Sequence, residues 1–384
     1  MPVRATKRGT ARTALDRDCD VLICGASFAG LTVARELERS GARVILVDRY
    51  EVGERQTSAC AAPTEWLELL GLQSSVRQTF DELVVHTARS TARWPLPFTF
   101  STFDYRELCG LLREGAASSE FETATVEGIE RGAVQTVLTD RGPLRARFVV
   151  DALGWRRVLS SAAQPIQPPA ARLSRGLEVH PPGSGSELEI WIDKRYVRAG
   201  YSWSFPAGDE LRVGVGSFEP RDHVRDSTVE LARDLRLEPN GYQGNWIPHQ
   251  LRAATENGVF FVGDSAGHCL PLTAEGIRPA FYFAIALARE LRQALAGYTT
   301  REQALERYRA FSDAHSFKYS CLLSTQHLVG RSTASAPLRW LVGAFRSRRL
   351  SHWAFERYFQ ITPPGSFARS APRPTELTSP VAAR

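Results

Sequence analysis

The apolar run Val21-Leu22-Ile23-Cys24 leads straight into Gly25-Ala26-Ser27-Phe28-Ala29-Gly30. Leu31, Ala34 and Leu37 follow at helical spacing, and Gly41 ends that helix. A second apolar run, 44–47, closes on Asp48. This order is a strand–turn–helix–strand unit. In it Gly25 allows the tight turn, and Gly30 lets helix and strand pack closely. The turn aims backbone N–H groups and a helix N-terminus at a pyrophosphate. Asp48, 23 residues after Gly25, is placed to accept hydrogen bonds from ribose hydroxyls. The usual middle glycine is Ser27 here, whose Cβ should crowd the pyrophosphate. The pattern also fits a turn that binds nothing; the acid at the second strand's end favours a dinucleotide.

A chain of 384 residues is long for one compact unit, so two domains with tails are expected. The longest apolar run, 279–288, lies between Arg278 and Arg289 and is too short to cross a bilayer. With no apolar leader, the chain reads as cytoplasmic. Only three of the 48 basic residues are lysine, the arginines are dispersed, and no nucleic-acid module is recognisable. Six cysteines form no Cys-x-x-Cys pair and read as reduced thiols. Eight histidines show no zinc-ligand spacing, so no metal is expected.

Further along, 64–72 and 104–112 read as helices, and 124–129, 134–138 and 148–151 as strands. Residues 160–175, rich in Pro, Ala and Gln, read as a linker. Leu188, Ile190 and Ile192 alternate, as do Val213 and Val215, marking a sheet. Val259-Phe260-Phe261-Val262 runs into Gly263-Asp264-Ser265-Ala266-Gly267, with Pro271 and Glu275-Gly276-Ile277 beyond. A long helix then extends from Ile277 to about 295, and Thr300 caps another. Both chain ends read as disordered.

Together these segments resemble the FAD-dependent oxidoreductases of the p-hydroxybenzoate hydroxylase fold, and within them the geranylgeranyl reductase family. The resemblance covers most of residues 20–300. It rests on the 25–30 turn with Asp48, and on Cys60-Ala61-Ala62, where that family has a cysteine and small residues over the flavin ring. It rests also on Val150-Asp151-Ala152-Leu153-Gly154-Trp155 and on Gly263-Asp264 through Gly276-Ile277. The last element is Tyr201-Ser202-Trp203-Ser204-Phe205-Pro206 with Gly214-Val215-Gly216 downstream. Leu153 stands where the family often has an acid. Tyr105 stands where it has an arginine touching the cofactor, with Arg106 next door.

The resemblance implies an α/β fold. A Rossmann-like FAD-binding domain (19–65, 100–160 and 255–298) would carry an inserted antiparallel β-sheet substrate domain (66–99 and 161–254). A C-terminal helical region (299–368) would follow, with disordered tails at 1–18 and 369–384. Non-covalent FAD would be held by Gly25, Ser27, Ala29, Gly30, Asp48, Arg49, Cys60, Ala61, Tyr105, Val126, Gly263, Asp264, Gly276 and Ile277. Asp264 would reach the ribityl chain and ribose. No second dinucleotide fingerprint is present, so NAD(P)H or another electron donor would reduce the flavin transiently.

Tyr201, Trp203 and Phe205 alternate and so share one face of a strand. The resemblance makes this face the roof above the flavin, suited to a long apolar polyene; from the residues alone it equally fills a core. Cys60 is either a small buried hydrophobe or a proton donor beside the flavin, with Arg55 supplying positive charge. His268 is either a residue of the substrate cavity that shuttles protons or a structural histidine. Aromatic residues and arginines over 338–360 form either a helical cover or an interfacial helix on an anionic membrane. The expected activity is hydride transfer from reduced flavin to a carbon–carbon double bond of an apolar, isoprenoid-like or lipid substrate, with a proton from Cys60 or water. One alternative is a flavin monooxygenase or halogenase acting on a natural-product scaffold; the absence of a lysine near the flavin motifs weighs against halogenation. Another is an FAD-containing membrane-surface or partner-binding protein without turnover.

Overall fold

The computed structural model describes residues 13–56, 58–161, 173–331, 340 and 342–364. Strands β1 (Arg17–Cys24) and β2 (Val44–Asp48) pair in parallel through the crossover helix α1 (Phe28–Glu36). β9 (Gly142–Asp151) lies parallel on the other side of β1. β6 (Glu120–Thr123) extends the sheet beside β2, and β16 (Val259–Phe261) extends it beside β9. The short β15 (Thr255–Glu256) closes that edge.

The side-chain period of two divides the core of this sheet. Val21, Ile23, Val44, Leu46, Phe148 and Val150 pack with α1, α3 (Tyr105–Glu114) and α5 (Ile277–Leu295). Leu22, Cys24, Ile45, Val47 and Val149 face the other way, onto a layer formed with β7 (Val126–Glu130) and β8 (Gln135–Thr139). Burial on both faces explains the unbroken apolar runs at 21–24 of β1 and 44–47 of β2. Order begins earlier than expected. Leu15 is buried, its N–H bonds the Arg141 carbonyl at 2.7 Å, and β1 starts at Arg17. The remainder of the expected N-terminal tail, 1–12, lies outside the described residues, as do 162–172 of the expected linker and the tail at 369–384.

The second sheet combines β3 (Ala61–Pro63), β4 (Val76–Thr87), β5 (Ser90–Phe103), β10 (Leu173–Val179), β11 (Leu188–Ile192), β12 (Gly200–Ala207), β13 (Glu210–Ser217) and β14 (Gln243–Pro248). Their order is β14-β10-β13-β12-β11-β4-β5-β3. It is antiparallel as expected, except that β11 runs parallel to β4. The short helix α2 (Thr64–Leu69) follows β3. One face carries Val179, Leu211, Val213 and Val215 beneath α4 (Arg225–Asp234). The opposite face carries Tyr201, Trp203 and Phe205. On it the register aligns Trp203 with Gly214 and Ile190, Ile190 with Val85, and Val85 with Ala92.

Helix α6 (Arg301–Asp313) opens on a capping box between Thr300 and Gln303, and α7 (Ser316–Arg331) follows. The last described element, α8 (Arg348–Phe359), and the residues before it lie on the aromatic face of the second sheet. Trp94 donates to the Val342 carbonyl at 3.0 Å, Phe345 packs on Trp94, and Phe359 stacks on Phe98 at 3.7 Å. Among the described residues, no helix is long and apolar enough to cross a membrane.

Candidate active site

Three turns converge at the carboxyl ends of the first sheet's strands. Gly25 has φ of 111°, and a Cβ there would stand 2.2 Å from the Ala152 carbonyl oxygen. A Cβ at Gly30 would stand 1.8 Å from the Gly25 carbonyl oxygen, so the turn closes on its own helix. Ser27 takes an ordinary extended conformation, with φ of −121°. No glycine is needed there, and its hydroxyl lies 3.1 Å from the Tyr105 hydroxyl. Ser27 is the N-cap of α1, yet its side chain caps no backbone N–H. Asp48 accepts from the N–H of Ala26 at 2.8 Å and of Tyr50 at 3.0 Å. Burial raises its pKa, and these two bonds oppose the rise. Val126 is buried at the same end of the sheet, whereas Arg49 is exposed and lies over the Tyr50 ring.

The second turn is locked to the third by Asp151. Its buried carboxylate accepts from Leu153 N and Leu159 N, each at 2.9 Å, and from the Ser265 hydroxyl at 2.7 Å. In the third turn Gly263 has φ of 64°, and its missing Cβ would stand 3.0 Å from Ala29 Cβ. The first and third turns therefore touch. Asp264 follows, half-buried, with no protein donor to its carboxylate among the described residues. Desolvation pushes its pKa up to about 6, and Arg252 acts against that rise. Gly276, the N-cap of α5, also leaves the first turn of its helix without a side-chain cap. A Cβ on Gly276 would lie 3.7 Å from Asp264 Oδ1. Two uncapped helix starts and one unpartnered carboxylate fit a ligand that carries both a diphosphate and hydroxyl groups.

Residues 18–150 match the FAD binding domain family. The chain is 23% identical to digeranylgeranylglycerophospholipid reductase 3 of Methanosphaera stadtmanae, over 78% of this chain and 83% of that one. A geranylgeranyl bacteriochlorophyll reductase-like protein from Thermoplasma acidophilum superposes with a TM-score of 0.78 at 15% identity, covering 92% of this chain and 98% of that one. The chain thus carries a segment of the FAD binding domain family and is similar along most of its length to geranylgeranyl reductases. A p-nitrophenol 4-monooxygenase from Pseudomonas putida superposes with a TM-score of 0.73 at 14% identity, covering 91% of this chain and 99% of that one. Likeness at such identities establishes the shared fold and leaves the chemistry to the site.

On the second sheet, the rings of Tyr201, Trp203 and Phe205 form one row, with neighbouring centroids 6.0 and 6.4 Å apart. Gly214 and Gly216 make room for the Trp203 indole. A Cβ on Gly214 would be 2.3 Å from Trp203 Cζ2, and one on Gly216 would be 3.4 Å from Cζ3. The indole N–H donates to the buried Glu178 carboxylate at 3.1 Å. This face is joined to the loops of the first sheet. Tyr201 donates its hydroxyl proton to the Thr273 carbonyl, and Arg212 donates to the carbonyls of Ala59 and Cys60.

Cys60 is fully buried, and its thiol donates to the Ser58 carbonyl at 3.2 Å. Burial holds its pKa well above the ordinary thiol value, and the nearby Arg212 charge does not overcome this. The expected positive setting from Arg55 is absent: that side chain is exposed and donates to the Tyr50 hydroxyl at 2.6 Å. Of the two readings of His268, its position fits the structural one. It is buried in the helical layer, stacked on Phe283 at 3.7 Å, with Nε2 3.2 Å from the Ser312 hydroxyl. Desolvation lowers its pKa well below the ordinary value, so it is a neutral packing residue there and not part of the aromatic face.

Sequence reading missed the fastening of α8 to the cofactor-side loop. Arg278 is fully buried and donates to both Glu275 carboxylate oxygens at 2.7 Å, and to the Thr362 hydroxyl at 2.6 Å. Tyr358 donates to Glu275 and lies 2.6 Å from the Thr273 hydroxyl. An arginine in the first turn of an apolar helix was the available signal, since such a charge, once buried, needs fixed partners.

Proposed function

We propose that this protein reduces carbon–carbon double bonds of an apolar, isoprenoid-like substrate. The observation that carries the reading is the seat of Trp203: an aromatic row, cleared by two glycines, on a sheet face fastened to the Cys60 loop and to the 271–277 loop. Large rings with few polar groups suit a flexible hydrocarbon chain and exclude water from it. The naming of the curated relative as a reductase of a geranylgeranyl lipid supports the same substrate class.

In this reading the 25–30 turn, the α5 start, Asp48 and Asp264 hold FAD, with Tyr105 fixing Ser27 beside the diphosphate. Bound and reduced, FAD supplies the hydride. The protein's own residues position the alkene and keep water away. Cys60 retains its proton across the neutral range, so a proton from solvent, delivered directly or through the Cys60 thiol that solvent then reprotonates, would complete the reduction. The first sheet with α1, α3 and α5 forms the cofactor domain, and the second sheet forms the substrate domain. A reduced nicotinamide or another donor reaches the flavin transiently.

The outer side of the C-terminal cover supports a lipid source for the substrate. Trp340 is 76% exposed, Trp353 58% and Leu350 36%, while Phe345, Phe355 and Phe359 turn inward. Arg346, Arg348, Arg349 and Arg357 are exposed beside them. Exposed tryptophan among arginines is the composition of a helix lying on an anionic bilayer. The test of the activity is product mass after turnover with an isoprenoid alcohol or lipid. A gain of two hydrogens supports reduction; a gain of one oxygen establishes a monooxygenase instead.

A further inference from the structure

Cys60 is one of seven non-glycine residues in the left-handed region among the described residues, with φ of 53°. A side chain in that region costs energy and persists only where its surroundings hold it. Here the peptides on both sides of the strained residue are gripped by one guanidinium. Arg212 Nη1 donates to the Ala59 carbonyl at 3.0 Å and to the Cys60 carbonyl at 3.1 Å. The guanidinium is only 2% exposed, and Glu210 fixes its other edge at 2.9 Å. A second tie comes from the same sheet face. Gln243 donates to the Ser58 carbonyl at 3.3 Å and also to Glu178. Glu178 in turn accepts from the indole of Trp203 at 3.1 Å and lies 2.8 Å from His180 Nε2. The loop bearing Cys60 and the aromatic row are thus wired into one buried polar cluster.

We propose that Arg212 is a positioning residue for the reaction, holding the strained Cys60 turn in place against the aromatic face. The inference deepens the reading of that face as a substrate wall and rests on it. Arginine suits the task because Nη1 holds both carbonyls while Nε and Nη2 hold Glu210, all in directions fixed by one plane; a lysine ammonium keeps the charge but lacks that fixed geometry. The clamp also has a sequence signal. On β13 the residues facing the aromatic side are Glu210, Arg212, Gly214 and Gly216, so a charge pair sits directly before the glycine seat of Trp203.

The test uses full-length protein and reads the loop and the chemistry separately. FAD-free protein is treated with iodoacetamide, and each cysteine is followed by peptide mapping. Cys24 and Cys109, also buried, report global opening. Arg212→Met should speed alkylation of Cys60 by roughly tenfold or more, the worth of one charge-assisted hydrogen bond, with Cys24 and Cys109 unchanged. Arg212→Lys should restore only part of the protection, because the ammonium keeps the charge without the fixed geometry. If Arg212→Met does not accumulate as folded protein, Gln243→Met, which removes one donor each from the Ser58 carbonyl and Glu178, should give the same selective exposure to a smaller degree. In FAD-loaded protein Arg212→Lys should lower kcat with KM nearly unchanged, and should shift the flavin absorption band. Unchanged Cys60 alkylation overturns the proposal. So does alkylation that rises equally at Cys24 and Cys109, because Arg212 would then serve stability alone. Selective exposure of Cys60 in a protein that turns over no alkene would uphold the clamp and sink the substrate reading instead.

Discussion

Replacing Gly214 by alanine tests whether Gly214 and Gly216 exist to seat an indole. The new methyl would fall 2.3 and 2.5 Å from two atoms of Trp203 and 2.8 Å from Glu178 Cβ. Restoring ordinary contact moves the ring by more than about 1 Å, because carbon atoms settle near 3.5–4.0 Å. The ring cannot move that far and keep its 3.1 Å bond to Glu178. Overpacking of this kind costs about 1–3 kcal/mol. Losing a charge-assisted buried bond adds about 1.5–3 kcal/mol. A total of roughly 2.5–6 kcal/mol follows. Unfolding entropy near 2.1 cal/mol/K per residue makes each kcal/mol worth roughly 1.2 °C in a chain this long, so Tm should fall by about 3–7 °C. Gly216→Ala is the matched control. Its methyl would meet Cζ3 at 3.4 Å, an ordinary contact, and its Tm should stay within about 1 °C. Differential scanning calorimetry on both variants, with KM for an apolar alkene, makes the comparison. Equal Tm values for the two would refute the seat.

Other expectations bear on the cofactor and the cover. Asp264→Asn should weaken FAD binding by roughly tenfold or more, from loss of charge-assisted acceptors, while stabilising the FAD-free protein at pH 8. The sign follows from the raised pKa. Folding favours the protonated carboxyl, so that share of stability is complete below the unfolded value near 3.8 and is lost as pH rises through about 6. FAD affinity of the unaltered protein should rise over the same interval, and fluorescence titrations at pH 5 and pH 8 check this. Trp203→Phe keeps a ring over the glycines but removes the donor to Glu178, and a stability loss of about 1.5–3 kcal/mol is expected; an unchanged Tm would show that bond to be idle. Tyr358→Phe should speed limited proteolysis within 340–364 and hasten FAD release, because Glu275 and Thr273 lose their tie to α8. Trp353→Ser combined with Arg349→Ser should reduce sedimentation with anionic vesicles and leave turnover of a detergent-dispersed substrate intact; unaltered sedimentation would remove the bilayer from the account.

The parallel sheet and its ligand-side turns were legible because their signals are local. Gly25, Gly30 and Asp48 lie within one strand–helix–strand unit, and doubly buried strands announce themselves as unbroken apolar runs. The aromatic row was legible through its period of two. What the chain order hides is tertiary partnership. Nothing near Cys60 in sequence points to Arg212, more than 150 positions away, and the nearby Arg55 drew attention that the fold gives to a surface tyrosine. His268 sits in the motif beside Asp264, but only the packing of α5 against α6 reveals that it stacks on Phe283. Similarly, the parallel pairing of β11 with β4 joins strands more than 100 residues apart, and alternation within each strand carries no sign of direction.

The most direct test of the central claim is an anaerobic single turnover. The FAD-loaded protein is reduced chemically, oxygen is removed, and an isoprenoid alkene is added while flavin absorbance is followed. A reductase must return electrons to the alkene itself, so the oxidised flavin band should reappear without oxygen, together with product heavier by two hydrogens. Reduced flavin that persists until air is admitted, with product then gaining one oxygen, would contradict the account.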